Sequence, residues 1–130
     1  VNYSRYADDL TFSGGDAAVW MLKPLRIFLA QNGYQLDNKK TNIFRKGRRQ
    51  SVTGLVVNEH VNIARPLKKK LRAAVHTRSK GSQPVWDGKP ISDMALKGHI
   101  SFLTMVSPEY GLKLRHKLDA CLAKKEVSDE

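Results

Sequence analysis

Sulfur chemistry is nearly absent from this chain, which has one cysteine, Cys121, among 130 residues. A single thiol excludes an internal disulfide framework and fits a reducing compartment. Cys121 falls on the apolar side of an expected helix, so packing is its expected role. The four histidines are scattered and show none of the Cys/His spacings of a zinc site. No apolar run is long enough to span a bilayer, and no secretory signal is found in the sequence. Repeats and low-complexity tracts are missing too.

Negative charge is the other scarcity. Asp and Glu number 12 against 23 Lys and Arg, giving a net charge of +11 and a pI near 10.0. Such a balance predicts a polyanionic partner, because neutralised phosphates release counterions and make affinity salt-dependent. The excess is also clustered. Residues 39–49 hold six basic side chains and residues 65–80 hold seven, with no acidic residue in either block.

The length is about one domain's worth of chain, enough for a real core. Residues 3–7 and 10–13 read as the strands of a hairpin around a polar turn. Gly14-Gly15-Asp16 then breaks the strand, with Asp16 as N-cap of a helix carrying Ala18, Leu22, Leu25 and Leu29 on one face. Pro24 should kink that helix or mark its true start, and Gly33 should end it. Residues 34–37 and 41–45 read as short strands, and residues 46–49 as a loop. Ser51 to Val57 and Val61 to Ile63 suggest a second hairpin around Asn58-Glu59-His60.

At Arg65-Pro66 the pattern changes from strand to helix. Pro66 suits a first helical turn, with Leu67, Leu71, Ala74 and Val75 as an apolar stripe opposite Lys68, Lys69 and Arg72. Residues 79–90 read as a loop. A second helix is expected from Ser92, as N-cap, to Val106, and a third from Pro108 with Leu114, Leu118, Cys121 and Leu122 inward. Residues 126–130 are expected to fray. The fold class is therefore α+β, with a mixed half (1–63) followed by a helical half (64–130).

Chemistry concentrates at Tyr6-Ala7-Asp8-Asp9. Adjacent carboxylates at the tip of a hairpin suit a site that holds two divalent ions about 3.5–4 Å apart, and oxygen ligands suit Mg²⁺. The surrounding string, Arg5-Tyr6-Ala7-Asp8-Asp9-Leu10-Thr11-Phe12-Ser13, resembles the palm motif of reverse transcriptases, in the extended form of bacterial retron enzymes. Gly33-Tyr34-Gln35-Leu36-Asp37-Asn38-Lys39-Lys40-Thr41 is similar to the next palm motif. Gln50 to Asn58 resembles the primer-grip strand, with the Val52-Thr53-Gly54 triplet shared by retron enzymes. Leu96 to Phe102 and Val106-Ser107-Pro108 resemble the retron thumb.

The resemblance implies the C-terminal part of a palm subdomain (1–63) followed by a helical thumb (64–130). It implies an RNA-directed DNA polymerase using two Mg²⁺ ions, an RNA template, a DNA primer and dNTPs, with a cognate structured non-coding RNA as a further partner, in the bacterial cytoplasm. On that likeness Asp8 is the principal metal ligand and Asp9 supports it, while Lys40 stands near the triphosphate as a mobile cation. Tyr6 and Ala7 would lie beside the primer terminus, and Gly54 would let the backbone approach the primer. Val52 and Thr53 are linked with recognition of the structured RNA, and Lys68, Lys69 and Arg72 with the phosphates of the hybrid duplex, contacts that position without specifying.

The chain starts at Val1 with only five residues before Tyr6, and the family's other metal-binding aspartate comes from an earlier strand. A C-terminal fragment, inactive when isolated, is the expectation. The rival readings are a basic RNA-binding remnant without catalysis, and a reverse transcriptase of the group II intron or diversity-generating type, against which the Val52-Thr53-Gly54 triplet leans.

Overall fold

β-Formers and aromatics on either side of Ala7-Asp8 fold the N-terminal segment into an antiparallel hairpin, β1 (Asn2–Tyr6) and β2 (Asp9–Ser13). Tyr3 pairs with Phe12 across the strands, their ring centroids 5.1 Å apart, so an aromatic pair fixes the register. The computed structural model from which this is taken describes residues 1–128. The chain divides into two compact units, Val1–Val52 and Thr53–Glu130.

The first unit continues with α1 (Asp16–Trp20) and α2 (Leu22–Gln31). Pro24 lies in the first turn of α2, where its missing N–H costs nothing, and the helical run restarts there as the sequence suggests. The N-cap of α1 is Gly15 rather than Asp16, which instead places its carboxylate in the first turn and pairs with Arg45 at 3.1 Å. Gly33, at φ 80°, closes α2 one residue past the C-cap Asn32. Tyr34 N–H donates to the Leu29 carbonyl at 2.8 Å and Gly33 N–H to that of Ala30 at 3.2 Å.

Residues 34–37 and 41–45 are not strands. Asp37 gathers the intervening backbone locally: its carboxylate accepts from Lys39 N–H at 2.8 Å, and its carbonyl accepts from Lys40 N–H, Thr41 N–H and the Thr41 hydroxyl. These bonds within a five-residue turn replace a strand ladder. The expected strand from Ser51 to Val57 is likewise interrupted. β3 (Ser51–Val52) stops at Thr53-Gly54, whose φ values of 47° and 84° are those of a type I′ turn, and β4 (Leu55–Val56) follows.

The second unit begins at that turn. β4 pairs antiparallel with β5 (Asn62–Ile63), Leu55 opposite Ile63. Ile63 is buried among the helices, so this hairpin groups with them although it precedes Arg65-Pro66. Three helices follow: α3 (Arg65–Ser79), α4 (Asp93–Val106) and α5 (Pro108–Ser128). Ser92 caps α4 by accepting from Ala95 N–H at 3.1 Å, and Pro108 opens α5, both where the sequence puts them. α5 runs to Ser128, through residues 126–128 where fraying was expected. Residues 129–130 of that expectation lie outside the described residues.

The core is one cluster: Ile63, Leu71, Ala74, Val75, Ile91, Leu96, Ile100, Leu103, Leu114 and Leu118. It contains the stripe read from α3 except Leu67, which is only partly buried. Gly111 is what lets α4 and α5 close. A Cβ there would fall 2.6 Å from the Thr104 Cα, closer than backbone atoms tolerate. The stretch between α3 and α4, read as a loop, carries a small hairpin, β6 (Val85–Trp86) and β7 (Lys89–Pro90). Its signal was the Asp87-Gly88 pair, which adopts the positive φ of a type I′ turn at 50° and 78°. Helices and small antiparallel sheets thus occupy separate stretches, an α+β arrangement.

Candidate functional site

The register that pairs Tyr6 with Asp9 leaves only Ala7 and Asp8 to turn the chain. Ala7 adopts φ 52°, a left-handed conformation that a Cβ disfavours and that glycine would take freely. The hairpin therefore holds about 1 kcal/mol or more of strain at the residue beside its carboxylates. Asp8 lies at the tip, and Asp9 opens β2 directly across from Tyr6, so Tyr6 and Asp9 share one face of the ribbon. Tyr6 and both aspartates are exposed. Neither carboxylate forms an ion pair or hydrogen bond with a described residue, so both are available to an external cation.

The donor set fits Mg²⁺ in kind. Mg²⁺ takes hard oxygen ligands, typically one or two carboxylates completed by water and substrate phosphate. No group of three metal-ligating side chains is gathered among the described residues. Lys40 sits in the Asp37 turn with its side chain exposed, and it pairs with neither Asp8 nor Asp9. Val52 ends β3 half-buried, while Thr53 and Gly54 form the exposed turn. Nothing lies within 4 Å of a Cβ built on Gly54, so its φ rather than crowding calls for glycine there.

On α3 the three expected cations part company. Lys69 and Arg72 are exposed. Lys68 is half-buried, with its ammonium 5.8 Å from the centre of the Tyr110 ring on α5. A neighbouring constellation was not anticipated. Trp86 stacks on His99 with centroids 4.4 Å apart, and Lys70 lies 4.3 Å from the Trp86 centroid while pairing with Asp87. Only the hairpin β6–β7 brings these residues together, so their signal was the overlooked Asp87-Gly88 turn.

Elsewhere on the unit the strongest pairing is structural. Arg78 Nε donates to Asp93 Oδ1 at 2.7 Å and Nη2 to Oδ2 at 3.1 Å, tying the end of α3 to the start of α4. Hydrogen bonding to Arg78 holds the Asp93 carboxyl below its usual range against the opposing effect of desolvation, and the same bond raises the guanidinium. Cys121, half-buried, donates from its thiol to the Arg78 carbonyl at 3.1 Å. No helix among the described residues is long and apolar enough to cross a membrane.

No protein-family model matches the chain. Individual proteins do. It is 35% identical over 127 residues to the retron Mx162 reverse transcriptase of Myxococcus xanthus, an alignment covering 84% of this chain and 26% of the relative. To the retron Mx65 reverse transcriptase of the same organism it is 32% identical over 119 residues, covering 88% and 26%. To the retron Ec86 reverse transcriptase of Escherichia coli it is 33% identical over 109 residues, covering 80% and 31%. The chain thus spans between a quarter and a third of the length of these curated relatives.

Proposed function

We propose that this chain, a sequence relative of the retron reverse transcriptases, supplies the carboxylate hairpin and a nucleic-acid-binding helical surface to an RNA-directed DNA polymerase. One observation carries the reading. Asp8 and Asp9 stand unpaired at the tip of a strained hairpin, in a chain one-third identical to those enzymes over more than four-fifths of its length. In this reading residues 1–63 are the C-terminal part of a palm and residues 64–130 a thumb, with the fingers and the rest of the palm outside this sequence. The exposed apolar surface of the first unit fits a segment finished by packing against more of the enzyme.

Asp8 and Asp9 would hold the metal, two Mg²⁺ ions when the site is complete. Bound there, Mg²⁺ would supply positive charge for nucleotidyl transfer from a dNTP to a primer 3′-hydroxyl. The chain's own residues do the rest. Tyr6, on the same face as Asp9, would border the primer terminus, and the small side chain of Ala7 would leave the nucleic-acid backbone room at the tip. Lys40 would neutralise charge on the triphosphate or protonate departing pyrophosphate. Gly54 offers bare backbone to the primer, Val52 and Thr53 flank it as contacts for a cognate structured RNA, and Lys68, Lys69 and Arg72 engage duplex phosphates.

The test is primer extension on an RNA template by a polymerase that includes the missing palm and fingers. Asp8→Asn should abolish extension while leaving template-primer binding intact, and full activity in that variant sinks the assignment. A second reading, an RNA-binding remnant without catalysis, is favoured by the fact that the core and the basic face of the helical unit are complete without the hairpin. It predicts salt-sensitive binding of structured RNA and no Mg²⁺-dependent synthesis in any reconstitution.

A further inference from the structure

Ion pairing on the helical unit leaves a definite surplus. Between Arg65 and Lys125 there are only four carboxylates, and each is engaged: Asp87 by Lys70, Asp93 by Arg78, Glu109 by Lys113, and Asp119 by Arg115 and Lys97. Lys69, Arg72, Lys80 and Lys117 have no carboxylate partner among the described residues. Where those cations stand is set by the packing of two helices.

α3 and α5 lie side by side and run in the same direction. Lys68 meets Tyr110 near their beginnings, and Arg78 meets Cys121 further along both. Between these contacts Lys117 Nζ approaches His76 Nδ1 at 3.4 Å. Two basic groups from facing helices therefore touch. The contact is attractive only when the imidazole is neutral and accepts from the ammonium, because a protonated ring would have no lone pair to offer. Arg72 and Lys80 stand four residues either side of His76, about 6 Å along the axis, and Lys113 stands four residues before Lys117. All five are exposed.

We propose that His76 and Lys117 form a proton-linked clamp for a backbone phosphate of a nucleic acid. When a phosphodiester oxygen takes the place between them, Lys117 donates to it and His76 takes a proton from solvent and donates as well, with Arg72 and Lys80 binding phosphates on either side. The charged groups around His76 are positive or already used: Arg72 and Lys80 beside it, Lys113 and Lys117 on α5, Asp93 of α4 held by Arg78, and Asp87, next to β6, held by Lys70; His116 of α5 adds a second imidazole. A nucleic acid fits better than an acidic protein, because the cations recur at each turn of two parallel ridges and so match a ligand whose charges repeat along a line.

The clamp takes its ligand class from the polymerase reading, but it can be tested without catalysis. The full chain is titrated with a fluorescent RNA hairpin, without Mg²⁺ or nucleotides, over a range of salt at about pH 6 and about pH 8, which bracket imidazole titration. Phosphate binding favours the charged ring, so affinity should be greater at the lower pH and decline as pH rises. The expected loss across that interval is about fivefold, the scale of one charge-assisted contact.

His76→Gln should remove the pH difference and bind as the parent does at the higher pH. Lys117→Gln should weaken binding by about fivefold and lower the slope of log affinity against log salt by about one. Equal affinity at both pH values in the parent chain, or unchanged behaviour of both variants, overturns the clamp while leaving polymerase activity to its own test. Displacement of the RNA by polyglutamate at matched charge would overturn the nucleic-acid assignment. Loss of primer extension in Asp8→Asn bears only on the hairpin.

Discussion

Residues 1–52 bury no side chain, whereas the helical unit closes a continuous cluster from Ile63 to Leu118. Apolar content does not explain the difference. The first unit carries Trp20 at 74% exposure and Phe28 at 61%, and the stripe Ala18, Leu22, Leu25 and Leu29 is its less exposed helical face without being buried anywhere. A two-stranded hairpin and a short helical pair give that stripe no second layer to close against. In the second unit α3, α4, α5 and Ile63 of β5 surround a common centre, and Leu96, Leu118 and Val75 reach complete burial. Amphipathic patterning makes an element; enclosure needs at least one more element facing it.

The contrast is most sharply broken from inside the core. Leu118→Ala should cost about 2–5 kcal/mol by leaving a cavity, and urea denaturation followed by helical circular dichroism should register it. An apolar truncation in the first unit such as Leu25→Ala should cost far less. Gly111→Ala comes next. The added methyl collides with the backbone of Thr104, so a loss of about 1–3 kcal/mol is expected from overpacking at the α4–α5 crossing. A Gly98→Ala control, where nothing lies within 4 Å of the new Cβ, should be neutral or slightly stabilising.

The Arg78–Asp93 pair gives a smaller and pH-dependent effect. Asp93 has its carboxyl pKa lowered on folding, so its contribution is fully present above the ordinary carboxylate value of 3.8 and is lost as pH falls through the depressed one. Asp93 is partly open to solvent, which limits the pair to about 1 kcal/mol. Asp93→Asn should lower the melting temperature at neutral pH and flatten the decline of stability on acidification. The smallest effect is expected in the first unit. Ala7→Gly relieves a left-handed alanine and should strengthen the hairpin by up to about 1 kcal/mol, read as slower amide exchange in β1 and β2. If the same substitution also lowers primer extension in the complete enzyme, the strain serves to hold Asp8 and Asp9 in place.

Much of this was legible in the sequence because the signals were local. Ser92, Pro66, Pro108 and Gly33 mark helix ends through their own φ preferences and side-chain hydrogen bonds, and the structure uses each at or beside the marked place. The failures were local competitions between rules. β-Branched residues from Ser51 to Val57 outweighed Thr53-Gly54 in the reading, yet the turn prevailed in the fold. Residues 34–37 and 41–45 looked like strands, but Asp37 satisfied the backbone between them, from Lys39 to Thr41. The hairpin at Asp87-Gly88 was hidden by the Gly and Pro around it.

By itself the sequence determined the carboxylate turn, the excess of positive charge, the helical stripes and the likeness to retron enzymes, all of which are properties of residues close together along the chain. Only the tertiary structure decided which cations remain available. Lys68, Lys69 and Lys70 are indistinguishable in the sequence, but the first lies near Tyr110, the second faces solvent, and the third is held by Asp87 and Trp86. His76 and Lys117, 41 residues apart, meet because α3 and α5 share a core and a direction. Charge is a property of composition, whereas pairing depends on distances through space that the folding of the helices alone sets.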